Sequence, residues 1–156
     1  MYLYHGSGYK QDELMPGFKR SGKLVQWDVT ESNEWLYAAV HKEEAIAMGF
    51  ASTLEKLFQI KRYKTQGREI LIEIESGRIP TQADLNAVQV YLYTLQKDDK
   101  SGWVLVNNAY NDLREEYKTK ATLTDCIVKV EAIDMAKWLA AKKIAVRGPG
   151  GRAYDW

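Results

Sequence analysis

An apolar run that leads into a helical repeat constrains the fold more than any other feature of the chain. Residues 35–40 (Trp-Leu-Tyr-Ala-Ala-Val) are apolar throughout and predict a buried strand. After His41 and three charged residues, apolar side chains recur at helical spacing as far as Phe58. The segment therefore predicts a strand that continues directly into an amphipathic helix.

Further strands are predicted on both sides of this unit. Residues 2–5 are β-prone and stop at the Gly-Ser-Gly turn of residues 6–8. Residues 69–75 are apolar with alternating acidic positions at their end, and residues 125–133 form a late apolar run. Both patterns predict strands, and residues 104–106 predict one more short element.

The other segments are predicted as helices or connections. Residues 110–118 and 134–141 favour helices, whereas the basic, glycine-containing stretch 63–68 is typical of a connection. Residues 81–93 fit either a short helix capped near Thr81 or a strand, and both interpretations stay open. Strands mixed with helices in this order predict an α+β fold.

The length of 156 residues is enough for one full hydrophobic core. Because 46% of the residues are hydrophobic and 28% are charged, the composition is that of a folded chain and not of a disordered one. We expect a single domain over residues 1–146. The glycine-rich residues 147–156 are expected to form a flexible tail.

Charge and cysteine content exclude several function classes. A formal net charge of +1 provides no global field for nucleic acid or for an anionic membrane, and no apolar run reaches the roughly 20 residues that span a bilayer. Cys126 is the single cysteine and cannot form an intramolecular disulfide, so an intracellular, cytoplasmic location is expected. Its place in an apolar strand pattern predicts an inert buried thiol. Neither a zinc-ligand cluster nor a glycine-rich phosphate loop occurs, and no metal is predicted.

The two histidines differ in their surroundings. His41 stands beside charged residues at the predicted helix start, where an exposed side chain is expected. His5 lies between an apolar strand and a glycine turn. It can be a partly buried side chain bonded to a backbone carbonyl, or it can contact a ligand at the strand end.

Four short motifs place His5 in a wider pattern. They are Tyr-His-Gly-Ser at 4–7, Leu-x-Pro-Gly at 14–17, Leu-Tyr-Ala-Ala at 36–39 and Glu-Glu-Ala-Ile-Ala at 43–47. In order and spacing they resemble the rifampin ADP-ribosyltransferases, within the superfamily that carries a His-Tyr-acidic triad. The resemblance extends over about residues 2–50 and implies split antiparallel β-sheets with flanking helices, with NAD+ as the substrate.

The resemblance also implies roles for individual residues. His5 would hydrogen-bond a ribose hydroxyl on the adenosine side, and the backbone of Gly6 would bind the nicotinamide carboxamide. Tyr37 would stack on the nicotinamide ring, and Ser7 and Ala38 would complete the contacts with NAD+.

Elementary chemistry is consistent with these roles. A glycine backbone can meet a carboxamide at close range because no Cβ intervenes. A tyrosine ring offers a flat face to the planar, cationic nicotinamide of NAD+. Packing of Tyr37 in the core is the structural alternative.

The resemblance implies an acidic third member of the triad, and a nearby carboxylate can stabilise the oxocarbenium-like centre that forms when the nicotinamide–ribose bond breaks. Asp84 follows the strand of residues 69–75 at about the position where the rifampin-modifying enzymes carry their aspartate, and it is the preferred candidate. Glu75, at the end of that strand, is the alternative. A helix cap at Asp84 and a solvated charge at Glu75 are their structural interpretations.

Three functional hypotheses follow. The leading one is a mono-ADP-ribosyltransferase that cleaves NAD+ and modifies an unknown acceptor, whether protein, nucleic acid or small molecule. The second is an enzyme of the same fold that cleaves another glycosidic bond, in NAD+ or in nucleic acid. The third is a non-catalytic binding module or inhibitor encoded by a phage or another mobile element.

Overall fold

The computed structural model describes residues 1–16, 35–55, 59–66, 69–76, 80–106 and 115–148. In this part of the chain the strands are β1 (Tyr2–Ser7), β2 (Leu36–Ala39), β3 (Gln59–Gln66), β4 (Glu69–Ser76), β5 (Gln89–Gln96), β6 (Val104–Val106), β7 (Glu116–Thr119), β8 (Ile127–Asp134) and β9 (Ile144–Arg147). The helices are α1 (Lys42–Glu55), α2 (Gln82–Asn86) and α3 (Met135–Ala140). The fold is therefore mixed α+β with mostly antiparallel strands and few helices.

The chain divides into two compact units, each built from three stretches of sequence. Unit 1 contains Met1–His5, Gln11–Lys42 and Tyr93–Val130, and unit 2 contains Gly6–Lys10, Glu43–Leu92 and Glu131–Trp156. The predicted single domain over residues 1–146 and the predicted tail stay predictions, and residues 149–156 lie outside the described residues.

A six-stranded sheet has the strand order β6-β7-β2-β1-β5-β8. Within unit 1, β2 and β7 are antiparallel, with Tyr37 opposite Lys118 and Ala39 opposite Glu116. Strand β6 pairs antiparallel with the other edge of β7, and Tyr4 of β1 lies opposite Ala39. Because β7 and β2 have hydrogen-bonded neighbours on both sides, their short sequences form interior strands of the sheet.

Unit 2 contains a second sheet with the order β3-β4-β9. Strands β3 and β4 are antiparallel, whereas β9 runs parallel to β4, with Ile70 opposite Ile144 and Ile72 opposite Val146. The buried side chains of this unit include Ile72 and Ile74 of β4, Ile144 and Val146 of β9, and Phe50 and Leu54 of α1. Their burial supplies the hydrophobic stabilisation of this unit.

Glycine allows α1 to approach β1 very closely. A Cβ built on Gly6 would lie 2.1 Å from the carbonyl oxygen of Ala45, and one built on Gly49 would lie 2.2 Å from a methyl carbon of Val90. No side chain fits at either distance, so both glycines are required for contacts within unit 2. Gly49 is retained inside the helix although glycine weakens a helix by about 1 kcal/mol relative to alanine.

Several predictions are confirmed by the structure. Strand β2 followed by α1, strands β4 and β8, and helix α3 all lie close to their predicted positions. In the ambiguous segment 81–93 the helix and the strand both occur, because Thr81 caps α2 and β5 begins at Gln89. No helix in the described ranges is long and apolar enough to cross a membrane.

Four predictions were wrong or incomplete. Strand β1 continues through Gly6 and Ser7 and does not stop at His5. The presumed connection 63–68 belongs largely to β3, which is held as a strand by its pairing with β4. Residues 116–119 form a strand and not a helix, because β2 and β6 pair with them on both sides. Strand β9 was not predicted, and it includes Arg147.

Candidate functional site

His5 is half-buried in β1 and is fixed by the backbone of β2. Its Nδ1 lies 2.8 Å from the carbonyl oxygen of Tyr37. Because a carbonyl oxygen only accepts hydrogen bonds, Nδ1 must carry the proton, and Nε2 of the neutral ring is then an acceptor. The bond to a backbone carbonyl that was considered from the sequence is therefore present.

Tyr93 supports the other side of the His5 ring. The two ring centres are 6.2 Å apart with the planes inclined by 54°. The Tyr93 hydroxyl accepts a hydrogen bond from the Gln11 backbone N–H at 2.6 Å and donates one to the Gln11 carbonyl at 3.2 Å. The tyrosine is fully buried, so the His5 ring packs against an interior side chain of unit 1. No local sequence signal could have identified the partners of Tyr93, since His5 and Gln11 are both more than 80 residues away from it in the chain.

Tyr37 is half-buried in β2, directly opposite Lys118. Alternation along a strand places its side chain on the face that Ala39 occupies, and Tyr4 shares this face because it lies opposite Ala39. The same rule assigns His5 to the opposite face. His5 therefore meets Tyr37 through the backbone carbonyl and not through the phenol ring.

The remaining predicted NAD+ contacts have structural partners of their own. Ala38 is buried with 1% exposure, and the hydroxyl of Ser7 accepts a hydrogen bond from the Tyr9 backbone N–H at 3.2 Å. The absence of a side chain at Gly6 is explained by the close approach of α1. A contact between the Gly6 backbone and a carboxamide stays a prediction.

Asp84 lies at the start of α2 in unit 2. Its carboxylate accepts a hydrogen bond from the Thr81 backbone N–H at 2.8 Å, and its own N–H donates to the Thr81 hydroxyl at 3.1 Å. This reciprocal pair is a complete capping box. The helix-capping role of this segment is therefore present, and the catalytic role of Asp84 stays a prediction. Glu75 lies near the end of β4, and its side chain is outside the described part of the structure.

A cleft of about 570 Å³ lies within unit 1, between the turn of residues 98–101 and the loop of residues 121–126. A hydrogen bond of 2.8 Å from the Ser101 N–H to Asp98 holds the turn. The side chain and backbone of Ser101 both keep the pKa of Asp98 below its ordinary value. The cleft is lined by three carboxylates and one lysine, yet the described residues contain no group of three or more metal-ligating side chains.

Cys126 lines this cleft with 7% exposure. Burial is the main reason that the pKa of its thiol is raised above 9.0, and the negative charges of Asp98 and Asp125 raise it further. The thiol therefore remains protonated near neutral pH, as expected for an inert cysteine.

We predict that iodoacetamide labels Cys126 several-fold more slowly in the folded chain than in urea near neutral pH. The labelling rate should begin to rise at a higher pH than that of a free thiol, because the raised pKa delays formation of the reactive thiolate to higher pH. Mass spectrometry at timed intervals measures both rates. Equal rates in the folded and unfolded chain would contradict a buried, protonated thiol.

The chain was also compared with known proteins. Neither family models, nor curated proteins, nor solved structures give a match.

Proposed function

We propose that the chain is a mono-ADP-ribosyltransferase with an ADP-ribosyltransferase-like fold of split β-sheets. The observation that carries the proposal is the 2.8 Å hydrogen bond from His5 Nδ1 to the Tyr37 carbonyl. It joins the two motif residues across β1 and β2 and fixes the orientation of the imidazole. The four motifs of residues 4–47 supply the identity of the ligand, NAD+.

In the proposed reaction, the bond between the nicotinamide nitrogen and the ribose carbon breaks, and an acceptor nucleophile forms a bond to that carbon. Nicotinamide leaves as a neutral molecule, so no proton donor is needed for its departure. The site mainly has to position NAD+ and exclude water. Nε2 of His5 binds a ribose hydroxyl while the Tyr37 carbonyl orients the imidazole. A carboxylate, for which Asp84 is the preferred candidate, stabilises the oxocarbenium-like centre.

A second candidate function is a module that binds NAD+ or a partner without catalysis. The capping box at Asp84 favours it, because this carboxylate already accepts a hydrogen bond from the Thr81 N–H. In this case His5, oriented by the Tyr37 carbonyl, would hold a ligand, and no carboxylate would promote bond cleavage.

Incubation of the purified chain with labelled NAD+ and a cell lysate distinguishes the two functions. Transferase activity predicts release of nicotinamide and a labelled acceptor. Binding of NAD+ without either product supports the non-catalytic module. If NAD+ neither binds nor is consumed, both forms of the proposal fail.

The role of Asp84 is tested by comparing Asp84→Asn with Thr81→Ala. Both variants weaken the capping box, and each is expected to lower the free energy of unfolding by about 0.5–2 kcal/mol. Only Asp84→Asn removes the carboxylate, so we expect it to reduce nicotinamide release strongly while Thr81→Ala retains it. Equal activity in the two variants would show that the catalytic carboxylate lies elsewhere, with Glu75 as the next candidate.

A further inference from the structure

Tyr93 of β5 connects His5 to the backbone of Gln11, which lies outside the strands. Its side chain is fully buried, and its ring centre is 6.2 Å from that of His5 with the planes inclined by 54°. This separation lies within the range of about 4.5–7 Å in which aromatic side chains attract one another. The two rings are therefore packed as a pair within unit 1.

The hydroxyl of Tyr93 anchors the far end of this ring. It accepts a hydrogen bond from the Gln11 N–H at 2.6 Å and donates one to the Gln11 carbonyl at 3.2 Å. Further along the same segment, Leu14 and Leu123 exchange backbone hydrogen bonds of 2.9 and 2.7 Å. The backbone that holds the tyrosine is thus itself held, so the ring cannot shift without breaking hydrogen bonds that a buried phenol needs.

His5 is restrained from both neighbouring strands. In the six-stranded sheet, β1 lies between β2 and β5. The Tyr37 carbonyl of β2 sets the direction in which Nδ1 points, and the Tyr93 ring of β5 limits the plane that the imidazole can adopt. Because the ring torsion of histidine is broad and both tautomers are accessible to a neutral imidazole, the two contacts together favour one orientation and one tautomer.

We propose that Tyr93 is a positioning residue for His5, which acts through the ring contact while Gln11 anchors its hydroxyl. This inference rests on the proposed function, in which the imidazole binds a ribose hydroxyl of NAD+. Tyr93 itself touches no substrate in that reaction, and it keeps the imidazole in the Nδ1–H form and in one orientation. Such positioning contributes to catalysis because a displacement of about 1 Å can lower a rate by about 100-fold.

The test is 1H–15N NMR of the two imidazole rings at about pH 8.5, where histidine side chains are ordinarily neutral. The spectra distinguish the Nδ1–H from the Nε2–H tautomer, and a His41→Ala variant assigns the signals of His5. In the unchanged chain we expect His5 to be predominantly in the Nδ1–H form. The measurement needs no NAD+, so its result does not depend on whether the chain is active.

Tyr93→Phe retains the ring and removes both hydrogen bonds with Gln11. We expect the Nε2–H form of His5 to become clearly populated and nicotinamide release to fall several-fold. Tyr93→Leu removes the ring as well, so both effects should be larger where circular dichroism shows that this variant folds. Identical His5 spectra in Tyr93→Phe and in the unchanged chain would overturn the proposal.

Leu95→Val is the matched control, because Leu95 is also fully buried in β5 and lies two residues beyond Tyr93. The substitution loosens the core of unit 1 but keeps the tyrosine, so the His5 spectra should match those of the unchanged chain. A rise of the Nε2–H form as large as that in Tyr93→Phe would show that any loss of packing releases His5. Tyr93 would then have no specific role.

The outcomes separate this inference from the proposed function. If the unchanged chain releases no nicotinamide while the spectra of Tyr93→Phe change as expected, the transferase activity is wrong and the positioning of His5 by Tyr93 is right. If the chain is active and Tyr93→Phe alters neither the spectra nor the rate, only the role of Tyr93 is wrong.

Discussion

Gly6→Ala is expected to lower the free energy of unfolding by about 2–3 kcal/mol. The added Cβ would lie 2.1 Å from the carbonyl oxygen of Ala45, and this atom belongs to the helix backbone, which cannot rotate away. The helix or the strand must move, and overpacking of this kind typically costs 1–3 kcal/mol. Urea unfolding of the variant and the unchanged chain measures the difference, provided that the free energy of unfolding depends equally steeply on urea concentration in both.

Gly8→Ala provides the control for Gly6→Ala. A Cβ at Gly8 would lie 3.0 Å from the hydroxyl of Thr53, a side chain that can adjust. We expect its stability to change by less than about 1 kcal/mol. If Gly6→Ala unfolds at the same urea concentration as the unchanged chain, α1 does not approach β1 as closely as described. Loss of NAD+ binding in a Gly6→Ala variant of unchanged stability would instead support the carboxamide contact.

His5→Ala is expected to reduce nicotinamide release by about 100-fold or more. The substitution removes the Nε2 atom that would hold the ribose, and loss of substrate positioning has effects of about this size. It also removes the hydrogen bond to the Tyr37 carbonyl, so the position of the tyrosine changes with it. Initial rates with labelled NAD+, together with NAD+ affinity from calorimetry, separate a loss of turnover from a loss of binding.

His41→Ala is the matched control for this experiment. His41 is the second of the two histidines, and it is exposed just before α1. Its replacement should leave nicotinamide release unchanged. Should the two alanine variants retain the same rate, His5 does not contact NAD+ and the proposed site is incorrect.

A strand could be predicted from the sequence when its own apolar side chains stabilise it, and not when backbone pairing with distant strands does. Residues 69–75 carry their own apolar pattern, so β4 could be predicted from the sequence. Strand β7, with the sequence Glu-Tyr-Lys-Thr, has no such pattern and exists because β2 and β6 pair with its backbone on both sides. Backbone pairing with distant partners leaves no local signal, so polar strands of this kind were predicted as a helix or as a connection.

The candidate site shows the same division. The motif resemblance brought His5 and Tyr37 into one hypothesis, and the structure contains a hydrogen bond between them. The contact of the His5 ring with Tyr93 joins residues that are far apart in the sequence. Such contacts depend on strand order and register, which neither composition nor spacing determines.

The interleaving of the two units along the chain has a consequence for synthesis on the ribosome. Unit 1 is complete only when Val130 has been made, and the sheet of unit 2 lacks β9 until Arg147 has been made. Neither unit can therefore finish folding while most of the chain is still being translated, in contrast to domains that fold one after another from the N-terminus. Nascent chains that end before residue 130 should therefore remain sensitive to protease.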